Sequence, residues 1–127
     1  MKPNFLKYLI ITFFVVFMSC QKDKESISGV IVGKWEWVNT IIPYGGQETN
    51  PQTAGFSMTL EFSNNGTVKE YKNGLLIGTS SYDIKTDQNG NVLNSTVITS
   101  HFYFANGTLI FSEAYVDGPV STYIRLR

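Results

Sequence analysis

From residue 33 onward the chain alternates apolar and polar positions. The clearest run is 56–63, Phe-Ser-Met-Thr-Leu-Glu-Phe-Ser, apolar at every even position and polar at every odd one. Period two places Phe56, Met58, Leu60 and Phe62 on one face of a strand, with their polar neighbours on the other. The pattern predicts further strands at 67–72, 75–85, 108–115 and 120–127. In 75–85, Tyr82 and Ile84 share a face, and Gly78 marks a bend that lets the sheet curl. The stretch 92–104 has no internal Gly, Pro or Asp, so it reads either as one long bent strand or as two broken near 94–95 or at 100. No stretch of this region has helical periodicity.

Four Asn-Gly dipeptides, at 65–66, 73–74, 89–90 and 106–107, fall between these runs, and Asp117-Gly118-Pro119 marks a further turn. Asn and Gly both tolerate the positive φ of a type I′ hairpin turn, so neighbouring strands are expected to be antiparallel. The fold class is therefore all-β, a single up-and-down antiparallel barrel of about eight strands. Seven strands would leave the first and last parallel and favour an open or sandwich arrangement. An immunoglobulin-like sandwich needs long crossovers between sheets, which this run of tight turns does not supply. The expected inward set is Phe56, Met58, Leu60, Phe62, Tyr82, Ile84, Leu109, Phe111, Ile124 and Leu126. The longest connection, 43–55, contains Gly45-Gly46 and Pro51 and reads as an irregular loop of functional length.

The start of the chain has a different character. Lys2 and Lys7 precede an apolar run at 9–18, too short for a spanning helix of roughly 20 residues and suited to a signal-peptide core. The run ends in Phe17-Met18-Ser19-Cys20, which resembles a bacterial lipobox, although Phe17 stands where Leu is usual. The resemblance implies cleavage after residue 19 and lipidation of Cys20 by a diacylglyceryl group and an N-acyl (palmitate) chain. More than one chain is needed for stable anchoring. Gln21-Lys22-Asp23-Lys24-Glu25 is a solvated charged leash. It also resembles the short signal that sends lipoproteins to the outer face of the Gram-negative outer membrane, with Lys24 interrupting its acidic run; a periplasm-facing tether is the other reading. The expected organisation is a signal peptide at 1–19, a lipidated cysteine and polar tether at 20–29, and the barrel at 30–127.

Composition removes several function classes. Ten basic and ten acidic residues balance, without the clustered basic face that nucleic acid favours. Cys20 is the only cysteine, so no internal disulfide supports the fold. His101, the only histidine, has no second His, Cys or carboxylate motif around it in sequence. It reads as a strand-edge or solvent-facing residue and gives no metal site. No phosphate-loop or nucleophile-elbow pattern occurs. The expectation is a non-enzymatic protein without metal or cofactor.

The first strand opens with Gly33-Lys34-Trp35-Glu36-Trp37, and its two indoles share one face. A Gly-x-Trp on a first strand, a β-meander after it and a long loop between the first two strands together resemble bacterial lipocalin-like domains, over roughly residues 30–127. The chain lacks the C-terminal helix of larger classical members. The resemblance implies that Trp35 packs across the closed end of the barrel beneath an Arg of the last strand, Arg125 or alternatively Arg127, with Gly33 beside it. It also implies a small hydrophobic ligand at the open mouth. The candidate ligand-binding residues are Trp37, Met58, Phe56, Tyr82 and Phe111, with the 43–55 loop closing over them. The alternative is a barrel filled by its own side chains that contacts a protein or glycan partner through its surface.

Overall fold

A computed structural model describes residues 27–127. The expected signal peptide, Cys20 and the charged residues after it lie outside the described residues. A short helix α1 (Ile27–Ile31) leads into β1 (Gly33–Ile42), β2 (Gln47–Thr49), a single helical turn α2 (Pro51–Ala54), β3 (Met58–Phe62), β4 (Thr67–Lys72), β5 (Leu75–Asp87), β6 (Gly90–Ser95), β7 (Thr99–Ala105), β8 (Thr108–Ser112) and β9 (Val120–Arg125). Each strand from β3 to β9 pairs antiparallel with the next, β1 pairs with β3, and β9 returns to β1. Eight strands therefore close a barrel, and β2 is a ninth that pairs only with the far half of β1. The stretch 92–104 is two strands, parted at 96–98, where the Ser95 hydroxyl accepts from the Ile98 backbone N–H and donates to the Ile98 carbonyl.

The hairpin turns divide into two kinds. Asn73-Gly74 and Asn106-Gly107 have positive φ at both residues, as a type I′ turn requires. At Asn65-Gly66 and Asn89-Gly90 only the glycine does. There side chains complete the turns: the Asn65 carbonyl oxygen accepts from the Thr67 N–H, and the Asp87 carboxylate from the Asn89 N–H. The 43–55 connection is also more ordered than an irregular loop. Asn50 and Thr53 form a capping box around α2, Pro51 opens the helical turn and Gly55 ends it in the left-handed region.

Side chains fill the barrel from its closed end upward. Ile31, Trp35, Leu60, Phe62, Val68, Leu93, Phe102, Leu109 and Phe111 form one buried cluster. Ile31 belongs to α1, which plugs the closed end, so residues 27–29 begin the folded unit instead of ending the tether. The expectation for β9 needs correction. Ile124 and Leu126 face outward, about 40% exposed, while Ser121, Tyr123 and Arg125 face in. Register explains this: Arg125 is directly opposite the inward Trp35, and Tyr123 opposite Trp37. In a strand of period two that forces Ile124 to the other face.

The closed end is held by one clamp. The Arg125 guanidinium carbon stands 4.2 Å from the Trp35 ring centroid, and its Nη1 donates to the Val32 carbonyl at 2.7 Å while Nη2 donates to Val30. The Trp35 indole N–H donates to the Ile31 carbonyl at 2.8 Å. Carbonyls at the end of α1, which have no partner within the helix, thus receive two side-chain donor groups. Gly33 has φ +136°, and a Cβ there would lie 2.5 Å from Arg125 Nη1. Gly33→Ala should therefore strain the backbone and displace the guanidinium together, at a cost of roughly 1–3 kcal/mol. Urea unfolding of the two proteins checks this; an unchanged midpoint would rule out the clamp as a structural determinant.

Candidate functional site

The open end of the barrel holds a cavity of about 290 Å³ lined by Trp37, Thr40, Thr49, Phe56, Met58 and Tyr123. A β-bulge in β1 makes part of this wall. The register with β9 shifts between Trp37 and Asn39, so Trp37 and Thr40 both face inward although three residues apart. The Trp37 indole N–H donates to the Thr40 hydroxyl at 2.9 Å, which is itself 2.7 Å from the Ser121 hydroxyl. This chain fixes the indole plane. Phe56 stacks on Trp37 with ring centroids 5.8 Å apart and planes 21° off parallel. The Lys72 ammonium covers the Phe56 ring, 4.4 Å from its centroid. The cavity is thus an aromatic slot, backed by the flexible thioether of Met58 and the phenol of Tyr123.

Three of the five candidate ligand residues meet here: Trp37, Phe56 and Met58. The other two lie elsewhere. Phe111 is buried among Phe102 and Tyr123, 5.6 Å from the Tyr123 ring, below the slot. Tyr82 lies toward the closed end, its hydroxyl donating to the Ser63 carbonyl and its ring edge-on to Phe62. It borders a second cavity of about 570 Å³ beside α1, with Ser28, Asn64, Asp83, Thr86 and Asn91. That cavity is larger, but Asn64, Asp83, Thr86 and Asn91 give its walls a greater polar share than those of the aromatic slot. The aromatic slot is the better small-molecule site, since such sites combine apolar walls with a few convergent polar groups.

Sequence reading did not single out Tyr123 or Glu70. Tyr123 becomes a cavity wall through the inverted parity of β9. Burial pushes its phenol well above the usual tyrosine range, and the neighbouring Glu70 charge adds to the rise. Glu70 occupies an inward position of β4, and burial raises its carboxyl. The signal was present in the parity of Thr67–Lys72, where Val68, Glu70 and Lys72 share a face.

His101 also differs from its expected setting. Its side chain is 13% exposed and lies between two carboxylates, with Nε2 2.9 Å from Asp87 and Nδ1 3.8 Å from Glu113. Tyr115 meets the imidazole edge-on at 4.7 Å. The carboxylates are 14 and 12 residues away in sequence, and the β5–β6, β6–β7 and β7–β8 pairings bring them together. The arrangement ties the end of β5 to the connection after β8. The two carboxylates lie on different ring nitrogens, and among the described residues no group of three or more His, Cys, Asp or Glu could hold a metal ion. Comparison with protein-family profiles, curated proteins and solved structures finds no significant match to this chain.

Both carboxylates of this cluster are held below their usual range. For Asp87 the Asn89 N–H is the main cause, followed by His101. For Glu113, burial acts upward but is outweighed by donors from Ser100, the His101 N–H and Tyr115. Depressed folded values stabilise the protein above the unfolded carboxylate range near about pH 4, and that contribution disappears as pH falls through the folded values. Urea midpoints should therefore drop on acidification from about pH 6 to 3, and Asp87→Asn should lessen the drop. Identical slopes for both proteins would show that Asp87 contributes nothing.

Proposed function

We propose that the protein is a lipid-anchored, lipocalin-like binding module that holds one small apolar ligand at the barrel mouth. The observation that carries this reading is the stacked Trp37–Phe56 slot, open above a packed floor. Its volume of about 290 Å³ is close to the lower end of ligand pockets, roughly 300 Å³. That suits a single ring or a short acyl chain better than a long fatty acid or a haem-sized group. Met58 adapts its shape readily to an occupant.

The anchoring half of the proposal rests on the leader and on Cys20, with the outer leaflet of the outer membrane as the destination. Intact mass of the mature protein from its native membrane should show an N-terminus at Cys20 carrying acyl chains, and Cys20→Ser should release the protein to the soluble fraction. A bare thiol at residue 20 would overturn this half alone.

Trp37 supplies the readout for the other half. Small aromatic and short-chain apolar probes should change tryptophan emission saturably. Trp37→Phe should remove that change while leaving the emission of Trp35, which sits in the clamp at the opposite end. A flat titration with every probe would overturn the ligand reading.

A second reading has one observation in its favour. The hairpin tips around the mouth expose Ile41, Ile42, Tyr44, Leu75, Leu76 and Ile77, a rim that could meet a protein or glycan. Under it, Leu75→Ser with Ile77→Ser would abolish partner capture and leave probe binding unchanged.

A further inference from the structure

An inward carboxylate, Glu70, lies one row of side chains below the residues that line the slot. Directly opposed residues of paired strands share a face of the sheet, so the inward side chains of β3, β4 and β5 form rows down the barrel. Met58 and Lys72 make the top row; Leu60, Glu70 and Gly78 the next; Phe62, Val68 and Ser80 the one below. Met58 lines the cavity, which puts Glu70 one row beneath its wall. Two neighbours fix the direction of Glu70. Leu60, across from it, is fully buried. On the other side, a Cβ built on Gly78 would lie 3.9 Å from the Glu70 Cβ and 3.4 Å from a methyl of Val97, which packs on the core. The missing side chain of Gly78 leaves room beside the carboxylate stem. From this position Glu70 is within electrostatic reach of the Tyr123 phenol on the far wall.

Nothing in the described residues answers that charge. The ion pairs of the barrel are Lys34–Glu61, Lys85–Asp83 and those of His101, and none includes Glu70. Lys72, the basic residue nearest along the same face, lays its ammonium over Phe56 at the exposed rim. A half-buried carboxylate without a cation is costly, and a bound cation would offset that cost.

We propose that the mouth takes a small hydrophobic amine, its apolar body between Trp37, Phe56 and Met58 and its ammonium on the Glu70 carboxylate. This rests on the mouth being a ligand site and narrows the ligand class. A carboxylate-headed ligand entering head first would set two anions together at the floor. Entering tail first, it would place an apolar end on Glu70 and its head near Lys72. The titratable groups facing the site are Glu70 and Lys72 from β4 and Tyr123 from β9. Burial already favours the neutral form of Glu70, so amine binding strengthens as pH rises through the Glu70 titration and weakens below it.

Three probes that share one phenyl ring test the charge alone: 2-phenylethylamine, 2-phenylethanol and phenylacetate, followed by Trp37 emission at neutral pH. The amine should bind roughly tenfold or more tighter than the alcohol, the scale of a hydrogen bond to a charged group, and the acid weakest. Glu70→Gln, nearly isosteric, should bring the amine level with the alcohol, and acidification of the wild type should narrow the same gap. If the alcohol or the acid matches the amine in the wild type, or the ranking survives in Glu70→Gln, the amine proposal is overturned and the mouth reading stands. Tail-first binding governed by Lys72 would show as the acid binding tightest. If none of the three probes alters the emission, the mouth reading fails and the proposal with it.

Discussion

Closure of this barrel depends on where one guanidinium sits. Arg125 lies on the Trp35 ring and donates to the Val30 and Val32 carbonyls, so one side chain joins the last strand, the first strand and the plug helix. The ring contact alone contributes only about 0.5–1 kcal/mol at an exposed site. Its larger consequence is geometric. With Arg125 inward opposite Trp35, the parity of all of β9 follows, and Tyr123 enters the barrel while Ile124 leaves it. Gly33 makes the arrangement possible, since any Cβ would occupy the space of the guanidinium.

The clamp also divides the molecule into two functional halves. Below, α1, Trp35 and the Phe62–Leu93–Leu109–Phe111 cluster occupy the interior. Above, the β1 bulge turns Trp37 and Thr40 to the same side, and β2 lengthens the wall next to them. The packed interior thus lies at the α1 end of the barrel and the open space at the other. The polar groups in the slot are few: Thr40, Thr49 and the Tyr123 phenol on its walls, Lys72 at the rim and Glu70 beneath. Under the proposed ligand-binding reading, selectivity among ligands of similar size comes from these groups, while the aromatic walls supply unspecific affinity.

Much of this was legible in the chain. The alternation in 56–63 predicts the inward set of β3, and Met58, Leu60 and Phe62 do face in. The Asn-Gly spacing predicts successive hairpins, and Trp35 and Trp37 share a face. Other features left no local trace. β2 is three exposed polar residues, Gln47–Thr49, which have no hydrophobic pattern to read. The inward face of β9 is its more polar one, because the pairing of Arg125 with Trp35 on the neighbouring strand β1 decides it, and so the apolar Ile124 and Leu126 misdirect. His101 meets Asp87 and Glu113 across strand pairings, invisible at separations of 12 and 14 residues. Glu70 was readable by parity, but a single carboxylate in a mixed strand gains meaning only from the cavity above it.

The sequence by itself determined the strand-turn rhythm, the hairpin connections and the two indoles on one face, since each depends on residues adjacent in the chain. Tertiary structure alone decided which face of β9 turns inward as it meets β1, and that Trp37, Phe56, Met58 and Tyr123 surround one space. Those outcomes arise from contacts between residues up to about ninety positions apart, where register and side-chain volume, not local propensity, set the geometry.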